Sequence, residues 1–240
     1  VKVIFTGQHR DLGRQMLKIF NIKPDYDLDV MLADQSLSIL TASLHEGLDK
    51  VLEKEKPDLV VVQGDTTSAL VGAIESFYHK IPVAHVEAGL RSNDMYSPYP
   101  EEINRRLISQ IAMYNFPPTE KAAERLKEEV PGSYILTTGN TGVDTLLEFA
   151  KKTKEAKRWM ILVTLHRRES FGLALENMLY AIRDFISEFK QFEIVFPVHP
   201  NPYVEKTVKK ILGNQPRIKL IEPVNYLEMI KLMKQCYFII

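Results

Sequence analysis

The sequence predicts an α/β protein with parallel sheets, and two observations indicate this fold class. Short runs rich in β-branched residues alternate with longer amphipathic patterns along the whole chain, an order typical of strand–helix–strand units. Apolar runs such as LVVV and MILVT are continuous rather than alternating, as expected for parallel strands that helices cover on both faces. The 240 residues, 45% hydrophobic and 26% charged, suffice for one large domain or two small ones.

Eight segments have the length and composition of strands, and helical patterns fill most intervals between them. The predicted strands are Val1–Thr6, Leu59–Gln63, Ile81–Glu87, Tyr134–Leu136, Met160–Thr164, Glu193–Val198, Ile218–Ile221 and Tyr237–Ile240. One helix is predicted from Ser36 to Lys56, where Pro57 ends it, and another from Leu173 to Lys190. Both helices repeat apolar residues at three- and four-residue spacing, which predicts one buried face on each.

A charged stretch without apolar periodicity, KKTKEAKR at residues 151–158, interrupts this order. Such a stretch is typical of a linker between domains. It predicts an N-terminal domain over residues 1–152 and a C-terminal domain over residues 158–240. Both ends of the chain fall inside apolar, strand-like runs, so we expect each end to be a cut edge of the fold.

The charge balance and the cysteine count narrow the class of protein. The 31 basic and 31 acidic side chains cancel, which indicates no nucleic-acid or membrane-surface partner but leaves room for a local basic cleft. Cys236 is the only cysteine, so no disulfide forms within the chain, as in a reducing cytoplasmic setting. No apolar run approaches the ~20 residues that cross a bilayer. We therefore expect a cytoplasmic protein without membrane insertion.

Polar segments follow the predicted strands at their carboxyl ends, where parallel α/β sheets bind ligands. These segments read GQHRD, GDTTSA, EAGLR, TTGNT, LHRRES and HPNP. Arginines, histidines and helix N-termini suit a pyrophosphate. Carboxylates such as Asp65 and Glu87 suit proton transfer or hydrogen bonds to sugar hydroxyls. Together they predict a site for an anionic, sugar-like ligand at this edge.

Each of these segments also has a structural interpretation. Asp65 or Thr66 alone is more often a helix N-cap, and the acidic pair at 101–102 after a proline fits the start of a helix. HRRE fits a solvated loop with weak ion pairs. We interpret His85, inside an apolar strand, as a hydrogen-bonded core residue. None of these interpretations explains why the polar segments coincide at successive strand ends.

Several other chemistries lack their motifs in this sequence. There is no HExxH pattern and no cysteine–histidine cluster at metal-ligand spacing. The phosphate loops GxGxxG and GxxxxGK[ST] and the serine nucleophile elbow GxSxG are also absent. We therefore expect no metal and no redox cofactor in the active site.

Six motifs in the order GDTTSA, PVAHVEAGLRS, YSPYPEEINRR, TGNTGVD, VTLHRRES and PVHPNP resemble the non-hydrolysing UDP-N-acetylglucosamine 2-epimerases. The resemblance spans nearly the whole chain. It implies two Rossmann-like domains in a glycosyltransferase-B-like fold, facing each other across a cleft, and a homodimer. The family's opening GTRPE loop and its later serine–glycine–glycine loop are not found in these 240 residues. We therefore expect both ends of the fold to be truncated in this chain.

The resemblance also implies a reaction and the residues that carry it out. The family interconverts UDP-N-acetylglucosamine (UDP-GlcNAc) and UDP-N-acetylmannosamine (UDP-ManNAc) without a cofactor, by eliminating UDP to give 2-acetamidoglucal and adding it back. This supplies ManNAc for surface polysaccharide synthesis. The residues matching the catalytic set are Asp65, Glu87, Glu101 and His166. Those expected to contact the substrate or UDP are His166, Arg167 and Arg91. Carboxylates crowded in one site titrate as a coupled set, so the face of the sugar that each one serves stays open.

Many bacterial members of this family are activated by UDP-GlcNAc bound beside the active site. The matching positions in this chain are Gln8, Gln35, Glu101, Arg167 and His199. Amides and a carboxylate suit sugar hydroxyls, and an arginine and a histidine suit phosphate. Asp11 departs from the pattern, because glutamine is common there, and a carboxylate repels a pyrophosphate. Gln8 and Gln35 also fit ordinary surface amides.

Three alternatives stay open at the level of sequence. A UDP-sugar-dependent glycosyltransferase shares the fold, a hydrolysing epimerase shares the substrate, and a nucleotide-sugar sensor needs no catalysis. Acidic residues at positions 65, 87 and 101 favour an enzyme over a sensor, because a sensor has no use for proton-transfer groups.

Overall fold

The computed structural model describes residues 1–152, 159–165 and 172–240. These residues form two compact units, Val1–Thr141 and Gly142–Ile240. The strands in each sheet run parallel, with helices between them, which confirms the predicted α/β class. The linker predicted at 151–158 falls later than the division between the units. Because most of it lies outside the described residues, the domain boundary stays a prediction.

The first unit contains a two-stranded and a four-stranded parallel sheet. The small sheet pairs β1 (Ile4–Phe5) with β2 (Tyr26–Asp27). The larger sheet has the order β3 (Val60–Gln63), β4 (Val83–Val86), β5 (Tyr114–Phe116) and β6 (Tyr134–Ile135). The helices are α1 (Arg10–Ile19), α2 (Leu37–Glu55), α3 (Thr67–Tyr78), α4 (Glu101–Ile111) and α5 (Glu120–Glu129).

Helix α3 is packed on two sides by two apolar clusters. On one side, fully buried Val71 joins a cluster with Val30, Leu44 and Leu48. On the other side, Ala69 and Ala73 pack in a second cluster with β3, β4 and α4. Burial of this apolar surface stabilises the unit by roughly 25 cal/mol per Å². The helix begins after Thr66, whose hydroxyl caps it by accepting a hydrogen bond from the Ala69 amide at 3.2 Å.

The ends of the first long helix agree with the sequence prediction. Ser36 is the N-cap of α2, and its hydroxyl accepts a hydrogen bond from the Ile39 amide at 3.3 Å. Lys56 is the C-cap, with a left-handed φ of 43°. The helix predicted from Ser36 to Lys56 is therefore confirmed.

Two strands were missing from the sequence prediction. Strand β2 is only two residues long, and its Asp27 pairs with Arg14 at 2.9 Å. Strand β5 is an inner strand of the sheet, but fully buried Asn115 lies at its centre. The Asn115 amide donates to the Ala112 carbonyl at 3.3 Å and to the Ser133 hydroxyl at 3.2 Å. Local acceptors therefore allow a polar residue in a buried strand. Because Asn115 interrupts the apolar run, the hydrophobic pattern of the sequence did not predict this strand.

The second unit is a four-stranded parallel sheet with its own core. Its order is β10 (Phe238–Ile239), β7 (Met160–Leu162), β8 (Glu193–Pro197) and β9 (Ile218–Ile221). The described helices are α6 (Thr141–Lys151), α7 (Leu173–Glu188), α8 (Pro202–Leu212) and α9 (Tyr226–Gln235). Fully buried Ile161, Leu179 and Phe196 belong to one apolar cluster.

Helix α7 ends two residues before the predicted end at Lys190. No described helix is long and apolar enough to cross a membrane.

Gly89, just after β4, is required by its conformation and by its neighbours. Its φ is +81°, and a Cβ there would lie 2.5 Å from the Ala122 carbonyl oxygen and 2.9 Å from the Leu126 side chain. We expect Gly89→Ala to lower the free energy of unfolding by about 2–4 kcal/mol through backbone strain and overpacking. Urea unfolding followed by circular dichroism measures this change.

Gly132→Ala is the matched control, because Gly132 is exposed in a turn with open space around it. We expect a change within about 0.5 kcal/mol for this variant. Equal unfolding midpoints for the two variants would contradict the tight packing described for Gly89.

Candidate active site

The register of β3 and β4 brings two of the predicted carboxylates to the same edge of the sheet. Gln63 pairs with Val86, and the Gly64 amide continues the ladder by donating to the Val86 carbonyl at 3.0 Å. Asp65 follows Gly64 directly, and Glu87 follows Val86. The carboxyl ends of these parallel strands therefore carry Asp65 and Glu87 on neighbouring segments, as the sequence predicted.

Glu87 has a strained backbone. Its φ is +67°, in the left-handed region where a side chain costs about 1–2 kcal/mol per residue. Two hydrogen bonds hold this geometry, because the amides of Glu87 and Ala88 both donate to the Phe116 carbonyl, at 3.0 and 3.3 Å. Within the described part of the chain, no hydrogen bond or ion pair engages the Glu87 carboxylate. Strain of this kind concentrates at functional sites, and nothing in the sequence indicated it.

Glu102 is a fully buried carboxylate held by two hydrogen bonds and an ion pair. One oxygen accepts from the Ser92 amide at 2.9 Å. The other accepts from Arg106 Nε at 2.9 Å, and Arg106 Nη2 forms an ion pair with the same oxygen at 2.8 Å. Burial raises the pKa of Glu102, but the hydrogen bonds from Ser92 and Arg106 outweigh burial and hold the pKa below its ordinary value. The sequence prediction treated this residue only as part of a helix start, although the spacing to Arg106 was visible.

Helix α4 also holds Asp65. Arg105 Nη2 lies 2.5 Å from Asp65 Oδ2, and Arg105 Nη1 lies 3.7 Å from the buried Glu102. The Asn104 side chain donates to the Asp65 backbone carbonyl at 2.8 Å. The backbone and the carboxylate of Asp65 are therefore both fixed by α4, while 28% of the side chain stays exposed.

Glu101 begins α4, one residue before Glu102, yet its surroundings are different. It is half-buried, and its carboxylate pairs with none of the described residues. Helix α4 begins directly after its N-cap Pro100, which confirms the structural interpretation of the acidic pair. That interpretation leaves the Glu101 carboxylate free to act on a ligand.

His85 is the hydrogen-bonded core residue that its place in an apolar strand predicted. It is fully buried, and its Nε2 donates to the Gly64 carbonyl at 2.7 Å. Its Nδ1 is buried and has no partner among the described residues. Burial lowers the pKa of His85 from 6.5 to about 4, so the ring is neutral at pH 7. The neutral ring fixes the carbonyl that precedes Asp65.

Arg91 is placed inside the first unit rather than at its surface. Only 1% of its side chain is exposed, and Nη2 lies 2.6 Å from Glu129. The same guanidinium donates to the Ser109 hydroxyl at 3.1 Å and to the Leu90 carbonyl at 2.7 Å. These contacts favour a structural role, so the expected contact between Arg91 and UDP stays a prediction without support from the geometry.

The two glutamines of the predicted activating site differ in their surroundings. The carbonyl oxygen of Gln8 accepts from the Ser68 amide at 2.9 Å and from its hydroxyl at 2.7 Å, which ties it to the start of α3. Gln35 accepts from the Leu32 amide at 3.0 Å. Its amide nitrogen is buried without a partner among the residues described. Gln35 therefore retains an unused donor.

His199 lies in the second unit, beside an apolar cavity of about 400 Å³ at the carboxyl ends of β7 and β8. It is exposed, and its Nδ1 accepts from the Asn201 amide at 3.2 Å. The cavity lining includes Thr164, Val198, Met229 and Met233.

Two predicted site residues, His166 and Arg167, lie outside the described residues, so their roles stay predictions.

Comparison with known proteins gives consistent results. The family model for UDP-N-acetylglucosamine 2-epimerase matches residues 1–240. The UDP-N-acetylglucosamine 2-epimerase of Yersinia pestis is 43% identical, and the match covers 100% of this chain and 68% of that protein. The chain is similar to the Neisseria meningitidis UDP-GlcNAc 2-epimerase bound to UDP-GlcNAc, with a TM-score of 0.88 and 38% identity over 99% of this chain and 68% of that one. The Methanocaldococcus jannaschii enzyme in complex with UDP-GlcNAc and UDP gives a TM-score of 0.76 and 35% identity over 99% and 70%. These neighbours confirm the predicted glycosyltransferase-B fold class.

The buried state of His85 predicts a pH dependence of stability. Its pKa is lowered from 6.5 to about 4, so between these values the unfolded chain binds a proton that the folded chain does not. The free energy of unfolding should therefore fall as the pH drops from 6.5 to 4, by at most about 3 kcal/mol from this residue. Above pH 6.5 His85 contributes no pH dependence. Urea unfolding over this pH range measures the effect.

His85→Gln should remove this part of the pH dependence, whatever it does to stability at pH 7. His9→Gln is the control, because His9 is exposed. If the wild-type protein and His85→Gln lose stability equally between pH 6.5 and 4, the buried neutral state of His85 is wrong.

Proposed function

The chain belongs to the UDP-N-acetylglucosamine 2-epimerase family, a family of isomerases, and we propose that the complete protein interconverts UDP-GlcNAc and UDP-ManNAc. The observation that carries the proposal is the convergence of Asp65 and Glu87 at adjacent strand ends, with α4 holding Asp65. The two related structures described above were solved with UDP-GlcNAc bound. The alternatives of a glycosyltransferase, a hydrolysing epimerase and a sensor are distinguished by the experiment below.

The chemistry explains why several carboxylates are needed. The proton at C2 of the sugar is not next to a carbonyl, so direct abstraction by a carboxylate is very unfavourable. When the C1–O bond breaks, its electrons leave with UDP, and the cationic character at C1 acidifies the C2 proton. A base takes that proton and the C1–C2 double bond of 2-acetamidoglucal forms. UDP then adds back at C1 while an acid delivers a proton to the opposite face at C2, which requires proton-transfer groups on both faces.

The surroundings of the carboxylates suggest a division of roles. The carboxylates of Glu87 and Glu101 pair with none of the described residues, so both are free to exchange protons with the sugar. Asp65 is held by Arg105 and Asn104, so it is positioned with less freedom, as a group that orients the sugar or completes the coupled set. His166 joins the proposed catalytic set, and His166 and Arg167 are the proposed diphosphate contacts, on the strength of the family motif HRRE.

The biological setting follows from the family resemblance and is part of the same proposal. We propose a cytoplasmic homodimer that uses no cofactor and supplies ManNAc units for surface polysaccharide. The single cysteine supports a cytoplasmic setting. Light scattering on the complete protein tests the dimer, and a monomer at micromolar concentration would contradict it.

Incubation of the complete protein with UDP-GlcNAc in deuterated water tests the proposed reaction. We expect UDP-ManNAc to appear, deuterium to enter at C2, and UDP to remain attached to the sugar. Free ManNAc with UDP would indicate the hydrolysing reaction, and transfer to an added acceptor would indicate a glycosyltransferase. Binding without any turnover would indicate a sensor, and each of these three outcomes contradicts the proposal.

Adjacent glutamates in α4 separate the roles of catalysis and stability. We expect Glu101→Gln to lower kcat by about 10²- to 10⁴-fold while the melting temperature changes little, because the Glu101 carboxylate pairs with none of the described residues and only a weak helix-dipole contribution is lost. Asp65→Asn and Glu87→Gln should likewise lose turnover. Steady-state kinetics and thermal unfolding measure the two quantities in each variant.

The matched variant Glu102→Gln should lose stability, which Glu101→Gln does not, and it should lower kcat only indirectly, through the contact of Arg105 with Asp65. It leaves Arg106 and the Ser92 amide with a poor partner in a buried site, which costs about 3–5 kcal/mol of stability. Near wild-type turnover in Asp65→Asn, Glu87→Gln and Glu101→Gln alike would refute the catalytic assignment.

Activation by substrate is a second proposed property, and the unpaired amide nitrogen of Gln35 supports it. If UDP-GlcNAc binds there, reaction started from UDP-ManNAc alone should be slow until a trace of UDP-GlcNAc is added. Gln35→Ala should reduce this stimulation and leave the fold intact. Gln15→Ala is the control, since Gln15 is exposed on α1. Hyperbolic kinetics from UDP-ManNAc, with no lag and no stimulation by UDP-GlcNAc, would show that the protein is not activated by its substrate.

A further inference from the structure

Four titratable side chains meet where α2 packs against α3, in a region that the proposed reaction does not use. His45 and Asp49 are four residues apart on α2, and Glu75 and His79 are four residues apart at the end of α3. This spacing places the members of each pair on one face of their helix. The packing of the two helices brings the two faces together, so the cluster is a product of tertiary structure.

The polar atoms of this cluster are close to one another. One ligand atom from each of Asp49, Glu75 and His79 lies within 4.8 Å of the other two. His79 Nε2 contacts Asp49 Oδ1 at 2.8 Å, and His45 Nδ1 contacts the Glu75 carboxylate. The Glu75 side chain is only 7% exposed, whereas 57% of Asp49 is exposed. The cluster is therefore buried on the side of Glu75 and open to ions in solvent on the side of Asp49.

We propose that Asp49, Glu75 and His79 bind a divalent transition-metal ion of the zinc type. One imidazole and two carboxylates form a mixed nitrogen and oxygen ligand set, which zinc accepts with bonds of about 2.0–2.2 Å. Calcium and magnesium prefer oxygen ligands alone, which disfavours them here. Three protein ligands leave a fourth position for water on the exposed side. The proposal requires the exposed Asp49 side chain to rotate toward the ion as it binds.

Binding of the ion requires only a change in the tautomer of His79, with no additional reactant. In the hydrogen-bonded pair, neutral His79 carries its proton on Nε2, and this N–H donates a hydrogen bond to Asp49. To bind the ion, neutral His79 carries that proton on Nδ1 instead, so that the Nε2 lone pair faces the metal. Asp49 then exchanges an accepted hydrogen bond for a bond to the metal, and no net proton is released from a neutral ring.

His45 is the positioning residue of this site. Its Nδ1 donates to Glu75, because a carboxylate can only accept. A metal ligand held in this way by a second side chain has a fixed orientation, and loss of such a partner typically weakens metal binding by 10- to 100-fold. The bound ion would link α2 to the end of α3 opposite Thr66, and it would act on stability rather than on the reaction.

Calorimetric titration of the tag-free, metal-free complete protein with zinc chloride tests the site. We expect one site per chain, and a rise of about 5–10 °C in melting temperature when zinc is present at 100 times its dissociation constant. Asp49→Asn and His79→Gln should each weaken binding at least tenfold. Glu46→Gln is the matched control, because Glu46 is an exposed acid of α2 paired with Lys50 outside the cluster, and it should bind zinc like the wild type.

Absence of binding, or equal zinc affinity in the wild type and in Asp49→Asn, would overturn the proposal. Asp49 is exposed, so this variant carries the test even if His79→Gln folds poorly. Titration with cobalt chloride gives an independent readout, because a four-coordinate site produces visible absorption that Asp49→Asn should lose. Cobalt absorption that persists in this variant would place the ion elsewhere and also overturn the proposal.

Discussion

The candidate active site depends on the contacts of one buried carboxylate, that of Glu102. It accepts hydrogen bonds from the Ser92 amide and from Arg106, and it lies 3.7 Å from Arg105. Ser92 belongs to the segment that follows Glu87, and Arg105 holds Asp65. One buried charge thus connects both strand-end segments to α4. Such a group is tolerated only when its partners are complete, because an unpaired buried charge costs several kcal/mol.

Neighbouring glutamates show how surroundings, rather than residue type, assign the roles. Glu102 is fully buried and fully paired, whereas Glu101 is half-buried and pairs with none of the described residues. Glu87 reaches the same edge of the sheet on a strained backbone that Phe116 secures. The paired carboxylate organises the structure, and the unpaired ones remain available for proton transfer. The strain at Glu87 is offset by the sheet around it, as expected where function requires an unfavourable local geometry.

The sequence predicted the features that depend on local pattern. Alternating strands and helices indicated the α/β class, and parallel strand ends indicated that Asp65 and Glu87 lie on neighbouring segments. Features that depend on distant partners were not predictable. Arg91 pairs with Glu129, 38 residues away, and the cluster at Asp49 and Glu75 requires two helices to pack. Strand β5 escaped prediction because its buried Asn115 finds hydrogen-bond partners that only the fold supplies.

A double-mutant cycle on kcat tests most directly whether Glu102 and Arg105 act as one unit in the candidate active site. The cycle compares Glu102→Gln, Arg105→Gln and the double variant in the complete protein, with circular dichroism to verify folding. If Glu102 acts by positioning Arg105 against Asp65, each single change lowers kcat and the double variant is no slower than the slower single variant. Effects that simply multiply, so that the free energies add within about 0.5 kcal/mol as for independent sites, would contradict this account.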